Sequence, residues 1–308
     1  MIYTITLNPA IDYVVKMDSF EQGGINRSEY DYKEAGGKGI NVSRVLHQFG
    51  QSSTALGFVG GFTGKFITDS LTELKIPYDF VQLQQDTRIN IKIKTETDET
   101  EVNGLSPAIG EAEYQALLAK LKQLKEGDIV VLAGSLPHSL SKTVYRQMVS
   151  LLNEQGAIAV LDTSGTPLKE AIQASPVFIK PNHHELADLF DEEVRDDYDI
   201  VQLAKRLHQD YGINHVLVSM AKAGAIYVGD SGVFKLLAPK GKAVHSVGAG
   251  DSAVAGFICK WYETTDARKA AAYAIAAGSA TAFSKTLCTK AETDVLLQQV
   301  EVIDLSRR

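Results

Sequence analysis

The feature that most restricts the fold is an alternation along the chain. Short, almost continuously apolar runs bounded by turn residues ("IYTITL", "TALGFVG", "DIVVLAG", "AIAVLDT", "PVFIKPN", "HVLVSM") are separated by longer stretches with apolar residues at helical spacing. Among the latter are "INVSRVLHQFG", "EAEYQALLAKLKQL", "SKTVYRQMVSLLNEQG" and "DIVQLAKRLHQDYG". A strand that is apolar at nearly every position needs cover on both faces, and the intervening helices supply it. The order therefore predicts an α/β fold, with a mostly parallel central sheet and helices on both faces. The 308 residues contain no repeat of solenoid period and no low-complexity linker, so we read 1–308 as a single domain.

Two segments break the rhythm. Residues 11–34 and 87–103 alternate polar and apolar positions, most clearly in "RINIKIKTETDETEV". Period two with one solvated face predicts antiparallel strands. Together the segments predict a small discontinuous β-sheet lid outside the main core.

Composition narrows the partners. A hydrophobic content of 44% and a charged content of 22% are those of an ordinary globular protein. The formal charge of −7 argues against nucleic acid as a partner. "MIYTITLNPAID" lacks the basic region and long apolar core of a signal peptide, and the most apolar long stretch, "KAAAYAIAAGSATAF", is too short to span a bilayer. These readings predict a cytoplasmic protein with no membrane partner. Cys259 and Cys288 have no metal-binding spacing, and Cys259 reads as a small buried hydrophobe.

Two glycine-rich loops each precede an apolar helix. In "SVGAGDSAVAGF" the small residues Gly248, Ala249 and Gly250 stand directly before Asp251. Asp251 has two readings here. It suits a helix N-cap; alternatively, it can take a proton from a hydroxyl while the bare loop's N–H groups hold an anion. "AGGKGINVSRVL" repeats the anion-receptive arrangement around Gly37 and Lys38. Neither it nor "VGGFTGKF" is a Walker A loop, because Phe66 follows Lys65 in the second. The dinucleotide fingerprint fails where Val42 stands in place of the third glycine, which removes most support for a nicotinamide enzyme. "IKPNHHELADL" is not a zincin motif either, since Asp188 occupies the place of the second histidine. What remains there is Lys180, Asn182 and Glu185 at a strand end and helix start, where open α/β sheets bind ligands. Glu185 is also simply a favourable first-turn acid.

The ordered series "GGKGIN", "KPN" with Glu185, "SMAKAG" and "VGAGDSAVAGF" resembles the ribokinase-like (PfkB) carbohydrate kinase family over essentially the whole chain. "TLNPAIDY", "INR", "TRINI" and "AGSLP" look like its branch acting on phosphorylated hexoses. The resemblance implies ATP and Mg2+ as cofactors and a small-molecule sugar phosphate as substrate. It makes Asp251 the base and Gly248, Ala249 and Gly250 the anion hole. Asp12, Gly37, Lys38 and Asn41 match sugar-binding positions. Lys180 and Asn182 match the nucleotide side, as does the loop from Ser219 through Ala221 and Lys222 to Gly224, and Glu185 matches the acid that organises magnesium through water. Arg88, beside Asn90, is expected with Lys38 and Arg27 to read the substrate's existing phosphate. In some family members the lid strands pair across a dimer, so a homodimer through the lid is expected. A non-catalytic sugar-phosphate-binding regulator on the same fold is the reading from another class; the intact Asp251, "GAGD" and "KPN" argue against it. Ala221 departs from the family's usual glycine, which matters if the loop needs a positive φ there. Ala253 is smaller than the residue usual at its position.

Overall fold

Every residue of the run Ile129–Ala133 is buried, with Val130 and Leu132 in one hydrophobic cluster and Ile129, Val131 and Ala133 in another. A strand with core on both sides can only lie inside a three-layer sandwich. The computed structural model, which describes residues 1–244 and 246–306, has this architecture. In chain order the strands are β1 (Ile2–Thr6), β2 (Ala10–Lys16), β3 (Tyr30–Gly36), β4 (Thr54–Gly60), β5 (Val81–Leu83), β6 (Ile89–Lys94) and β7 (Glu99–Val102). They continue as β8 (Ile129–Ala133), β9 (Ile158–Asp162), β10 (Phe178–Ile179), β11 (His215–Ser219), β12 (Ala225–Gly229), β13 (Gly232–Leu237) and β14 (Glu301–Asp304). The α-helices are α1 (Lys38–Gln48), α2 (Gly61–Glu73), α3 (Glu111–Leu121), α4 (Val144–Glu154), α5 (Gly165–Ala171), α6 (His183–Phe190), α7 (Asp197–Asp210), α8 (Ala249–Thr264), α9 (Ala267–Phe283) and α10 (Lys290–Leu297).

Among the described residues the central sheet has ten strands in the order β14-β13-β12-β11-β10-β9-β8-β1-β4-β5. Its pairings are parallel from β5 to β11, whereas β12, β13 and β14 add antiparallel, so the sheet is mixed. Helices α3 to α7 pack one face, and α1, α8 and α9 pack the other. No helix among the described residues is long and apolar enough to cross a membrane.

The accessory sheet has the order β3-β2-β6-β7. The two alternating segments do pair, but their junction corrects the expectation of antiparallel strands throughout: β2 and β6 are parallel, Asp12 opposite Asn90. That is the geometry available to strands joined through a long excursion across the main sheet rather than a hairpin. The expected solvated polar face is also reversed on β6. Asn90 and Lys92 are buried, while Ile89 and Ile91 are each more than a third exposed. Polar side chains thus face the cleft, and apolar ones face outward.

Chain order along the main sheet reverses at β1, which lies between β4 and β8. A crevice beyond the carboxyl ends of the strands at such a point is where open α/β sheets bind ligands. Asp162 ends β9, Lys180 directly follows β10 and Ser219 ends β11.

Candidate active site

The loop before α8 removes the helix-cap reading of Asp251. Gly248, not Asp251, caps this helix, with φ of 81°, and a Cβ there would come 2.5 Å from Leu287 Cδ2. Only glycine satisfies both the left-handed backbone and the contact. Asp251 is the third helical residue, and among the described residues its side chain caps no N–H of the first turn. Its Oδ2 instead accepts from Asn41 Nδ2, 2.8 Å away on α1. The carboxyl is buried, and that burial, reinforced by the charge of Asp162, pushes its pKa up to about 6 against the opposing pull of Lys38, the Asn41 hydrogen bond and Lys180. A carboxylate of that proton affinity suits a base working near neutrality.

Two lysines stand beside it. Lys38 Nζ lies 3.1 Å from Asp162 Oδ2, and Lys180 Nζ lies 3.4 Å from Asp162 Oδ1. The Asp162 charge, chief among the influences, holds the Lys38 ammonium well above its usual range. Burial would raise the Asp162 carboxyl, but Lys180 and Lys38 overcome it and keep the pKa low. Lys180 also overhangs the loop: its Nζ is 3.3 Å from the point a Cβ on Gly250 would occupy. Gly250 therefore leaves room for an anion between backbone and ammonium. Sequence reasoning missed Asp162. A carboxylate closing the apolar run "AIAVLDT" at a strand's carboxyl end was the available signal.

On the accessory-sheet side, Asp12 is engaged at both oxygens, by Asn90 Nδ2 at 3.0 Å and Lys92 Nζ at 3.2 Å. Lys92, also missed in the sequence, is a buried lysine on a strand whose pattern suggested a solvated face. Gly37 caps α1 and brings Lys38 and Asn41 to the same cleft. Arg88 Nη2 donates to the Asn8 carbonyl oxygen at 3.2 Å, and Asn8 Nδ2 donates to Ser135 Oγ at 3.2 Å. Burial pulls the Arg88 pKa down, with Asp12 opposing, and its Nε has no partner among the described residues. Arg27 stands apart, exposed on the connection between β2 and β3, with no hydrogen bond or ion pair to these groups among the described residues.

On the other side, Asn182 and Glu185 form a capping box on α6. Asn182 accepts from the Glu185 N–H, and Glu185 Oε2 accepts from the Asn182 N–H at 2.8 Å. Asn182 bridges to Ser219, which starts the loop of Ala221, Lys222 and Gly224.

A family profile described as "pfkB family carbohydrate kinase" matches residues 2–294. The chain belongs to this family. It is 46% identical over 305 residues to a 1-phosphofructokinase of Bacillus subtilis, covering 99% of this chain and all of that protein. It is 36% identical over 306 residues to a D-tagatose-1-phosphate kinase of Bacillus licheniformis, covering 99% of this chain and all of that protein. The crystal structure of a putative phosphofructokinase from Staphylococcus aureus superposes with a TM-score of 0.88 at 42% identity, covering 99% of each chain. This PfkB-family enzyme is an ATP-dependent kinase of a hexose phosphate.

The departure at Ala221 has a structural consequence, because its φ is 49°, in the left-handed region. An L side chain there is strained by about 1–2 kcal/mol. Part of the relief that glycine brings is offset by its larger unfolded-state entropy. Ala221→Gly in this kinase should therefore raise stability by about 0.5–1 kcal/mol, read as a higher urea midpoint at unchanged slope. A lower midpoint would show that the methyl group makes compensating contacts. Gly224 in the same loop has no such latitude. Its φ is 94°, and a Cβ would fall 1.9 Å from the Leu236 carbonyl oxygen.

Proposed function

We propose that the enzyme transfers the γ-phosphoryl group of ATP to the 6-hydroxyl of fructose 1-phosphate, yielding fructose 1,6-bisphosphate and ADP. The observation that carries the reading is the placement of the buried Asp251 carboxylate beside a glycine loop overhung by Lys180, in a chain 46% identical to a 1-phosphofructokinase. Asp251 accepts the hydroxyl proton, and the freed oxygen attacks the γ-phosphorus. The bond from that phosphorus to the bridging oxygen of ADP breaks in line, without a phosphoenzyme. The N–H groups of Gly248, Ala249 and Gly250 face the charge on the transferring group. Asp12, Gly37, Lys38, Asn41 and Asn90 surround the sugar, and Arg88 is assigned to its phosphate. Arg27, exposed on the connection between β2 and β3, would reach that phosphate only if the connection closes over the cleft. Lys180, Asn182, Ser219, Ala221, Lys222 and Gly224 line the nucleotide side.

The donor set fits Mg2+ held mainly by nucleotide phosphates and water. Among the described residues no three His, Cys, Asp or Glu side chains come together as a cage. Glu185 engages its neighbours through Oε2, and Oε1 has no hydrogen bond to the described residues. Glu185 is the residue that would hold the ion, through water. Magnesium, when bound, neutralises charge on the phosphates.

A second reading, tagatose 6-phosphate as substrate, is favoured by the 37% identity over 259 residues to a tagatose-6-phosphate kinase of Staphylococcus epidermidis, and the 36% identity to a D-tagatose-1-phosphate kinase adds tagatose 1-phosphate. The test is kcat/KM for fructose 1-phosphate, tagatose 1-phosphate, tagatose 6-phosphate, fructose 6-phosphate and fructose under identical conditions. The first should be highest. A tagatose phosphate in first place replaces the proposal with the second reading, and ATP turnover with none of them favours a regulator.

The outward apolar face of the lid supports a second copy of the chain as its cover. Ile89, Ile91 and Val102 are exposed, and Ile91 and Val102 are directly paired across β6 and β7. An open sheet edge and a bare apolar face both favour association. Sedimentation at micromolar concentration should show a dimer that Ile91→Asp converts to monomer. Residues 11–34 and 87–103 should gain hydrogen-exchange protection when sugar phosphate binds. A monomeric wild type, or exchange unchanged at saturation, would remove the dimer or the lid respectively.

A further inference from the structure

We infer that Asp162 is the positioning residue of this site, clamping Lys38 and Lys180 from opposite sides of the cleft so that both ammonium groups face the phosphoryl group in transfer. The inference rests on the kinase reading above and assigns a role to a residue outside its binding and catalytic set.

Asp162 is 3% exposed at the carboxyl end of β9, and its two oxygens go to different cations. Lys38 opens α1 on the sugar side; Lys180 follows β10 on the nucleotide side and overhangs Gly250. A buried carboxylate meant only to neutralise a charge needs one partner. This one bridges two elements 142 positions apart in sequence (180 − 38). The Lys38 side chain is 43% exposed and the Lys180 side chain 7% exposed, so Lys38 has solvent to retreat into unless something retains it. Each ammonium has three N–H donors. After one is directed to Asp162, two remain on each lysine for phosphate oxygens. Lysine is a flexible point charge, unlike the preformed fork of arginine, so its aim depends on such a tether. Without Asp162 the two cations repel each other, and Lys38 turns to water.

The clamp also reaches the base. The charged groups acting on Asp251 are Asp162 at the end of β9, Lys38 on α1 and Lys180 after β10, with the Asn41 amide donating from α1. After burial, Asp162 is the largest influence raising the Asp251 pKa, and the lysines oppose it.

Two variants should therefore move the acid limb of kcat/KM in opposite directions. Asp162→Asn shifts it down by about one pH unit and lowers kcat by roughly ten- to a hundredfold, with KM for both substrates changed by less than about threefold. Lys38→Gln shifts the limb up. Coincident limbs in wild type and a folded Asp162→Asn, judged by circular dichroism and thermal midpoint, would overturn the clamp. So would both variants shifting the same way. Should Asp162→Asn fail to fold, an unmoved limb in Lys38→Gln, whose lysine is half exposed, overturns it equally. Carboxyl 13C titration of Asp251 in the full chain, assigned by its loss in Asp251→Asn, reads the same shifts without turnover. If no hexose phosphate is phosphorylated, the kinase reading falls. Shifts of opposite sign in the titration then still support the charge coupling, and absent shifts overturn it.

Discussion

Asp251→Asn should abolish most turnover while making the free protein more stable. Asparagine is nearly isosteric and keeps an oxygen to accept from Asn41 Nδ2, so the cleft retains its shape. It cannot take the proton of the attacking hydroxyl. Loss of a positioned base lowers kcat by about 10²–10⁴-fold, and ATP and sugar affinities should stay near wild type. The stability gain follows from the same burial. The folded-state pKa, about 6, lies above the ordinary 3.8. The folded protein therefore holds this proton more tightly than the unfolded chain. Whatever stability the protonated carboxyl contributes is complete below pH about 4 and lost as pH rises through about 6. Above that, the ionised group is a burden of on the order of 2–3 kcal/mol, which the neutral amide removes. Thermal midpoints measured from pH 5 to 8 should show the variant ahead at pH 8 and the difference shrinking toward pH 5. The acid limb of wild-type kcat/KM should lie near pH 6. A variant with wild-type kcat would reduce Asp251 to a buried structural acid.

The next largest effect concerns Arg88. Its guanidinium is partly desolvated, one nitrogen donates to the Asn8 carbonyl, and Nε lacks a partner. A buried N–H left unpaired is unfavourable, and a phosphate oxygen would satisfy it. A charge-assisted hydrogen bond contributes about 1.5–3 kcal/mol. Arg88→Ala should therefore lower kcat/KM for the sugar phosphate roughly ten- to a hundredfold, with little effect on background turnover of unphosphorylated fructose. Arg88→Lys, which keeps the charge and loses the fork, should fall between. Equal losses on both sugars would mean that the bond to Asn8 supports the lid, and the substrate class would need to be reconsidered.

The sequence by itself determined what is decided within a few residues. The strand and helix order, the glycine loop before α8, and Asn182 three positions before Glu185 were legible because propensity, spacing and capping act over one or two turns. That "KPN" and "GAGD" belong to one kind of enzyme was legible from their order. Tertiary structure alone decided what depends on which strands lie side by side. Asn41 meets Asp251 across 210 positions and Lys38 meets Asp162 across 124. No local pattern specifies contacts at that range. Sheet order brings the carboxyl ends of β9 and β10 to the N-terminal ends of α1 and α8, so the pairing of Asp162 with Lys38 and Lys180 became visible only in the fold. The same holds for the base strength of Asp251, because burial and the sum of surrounding charges set it. In the accessory sheet, period two announced a strand but not its orientation. The cleft requires polar groups, so Asn90 and Lys92 turn inward and leave Ile89 and Ile91 outside. Burial, not alternation, chose the face.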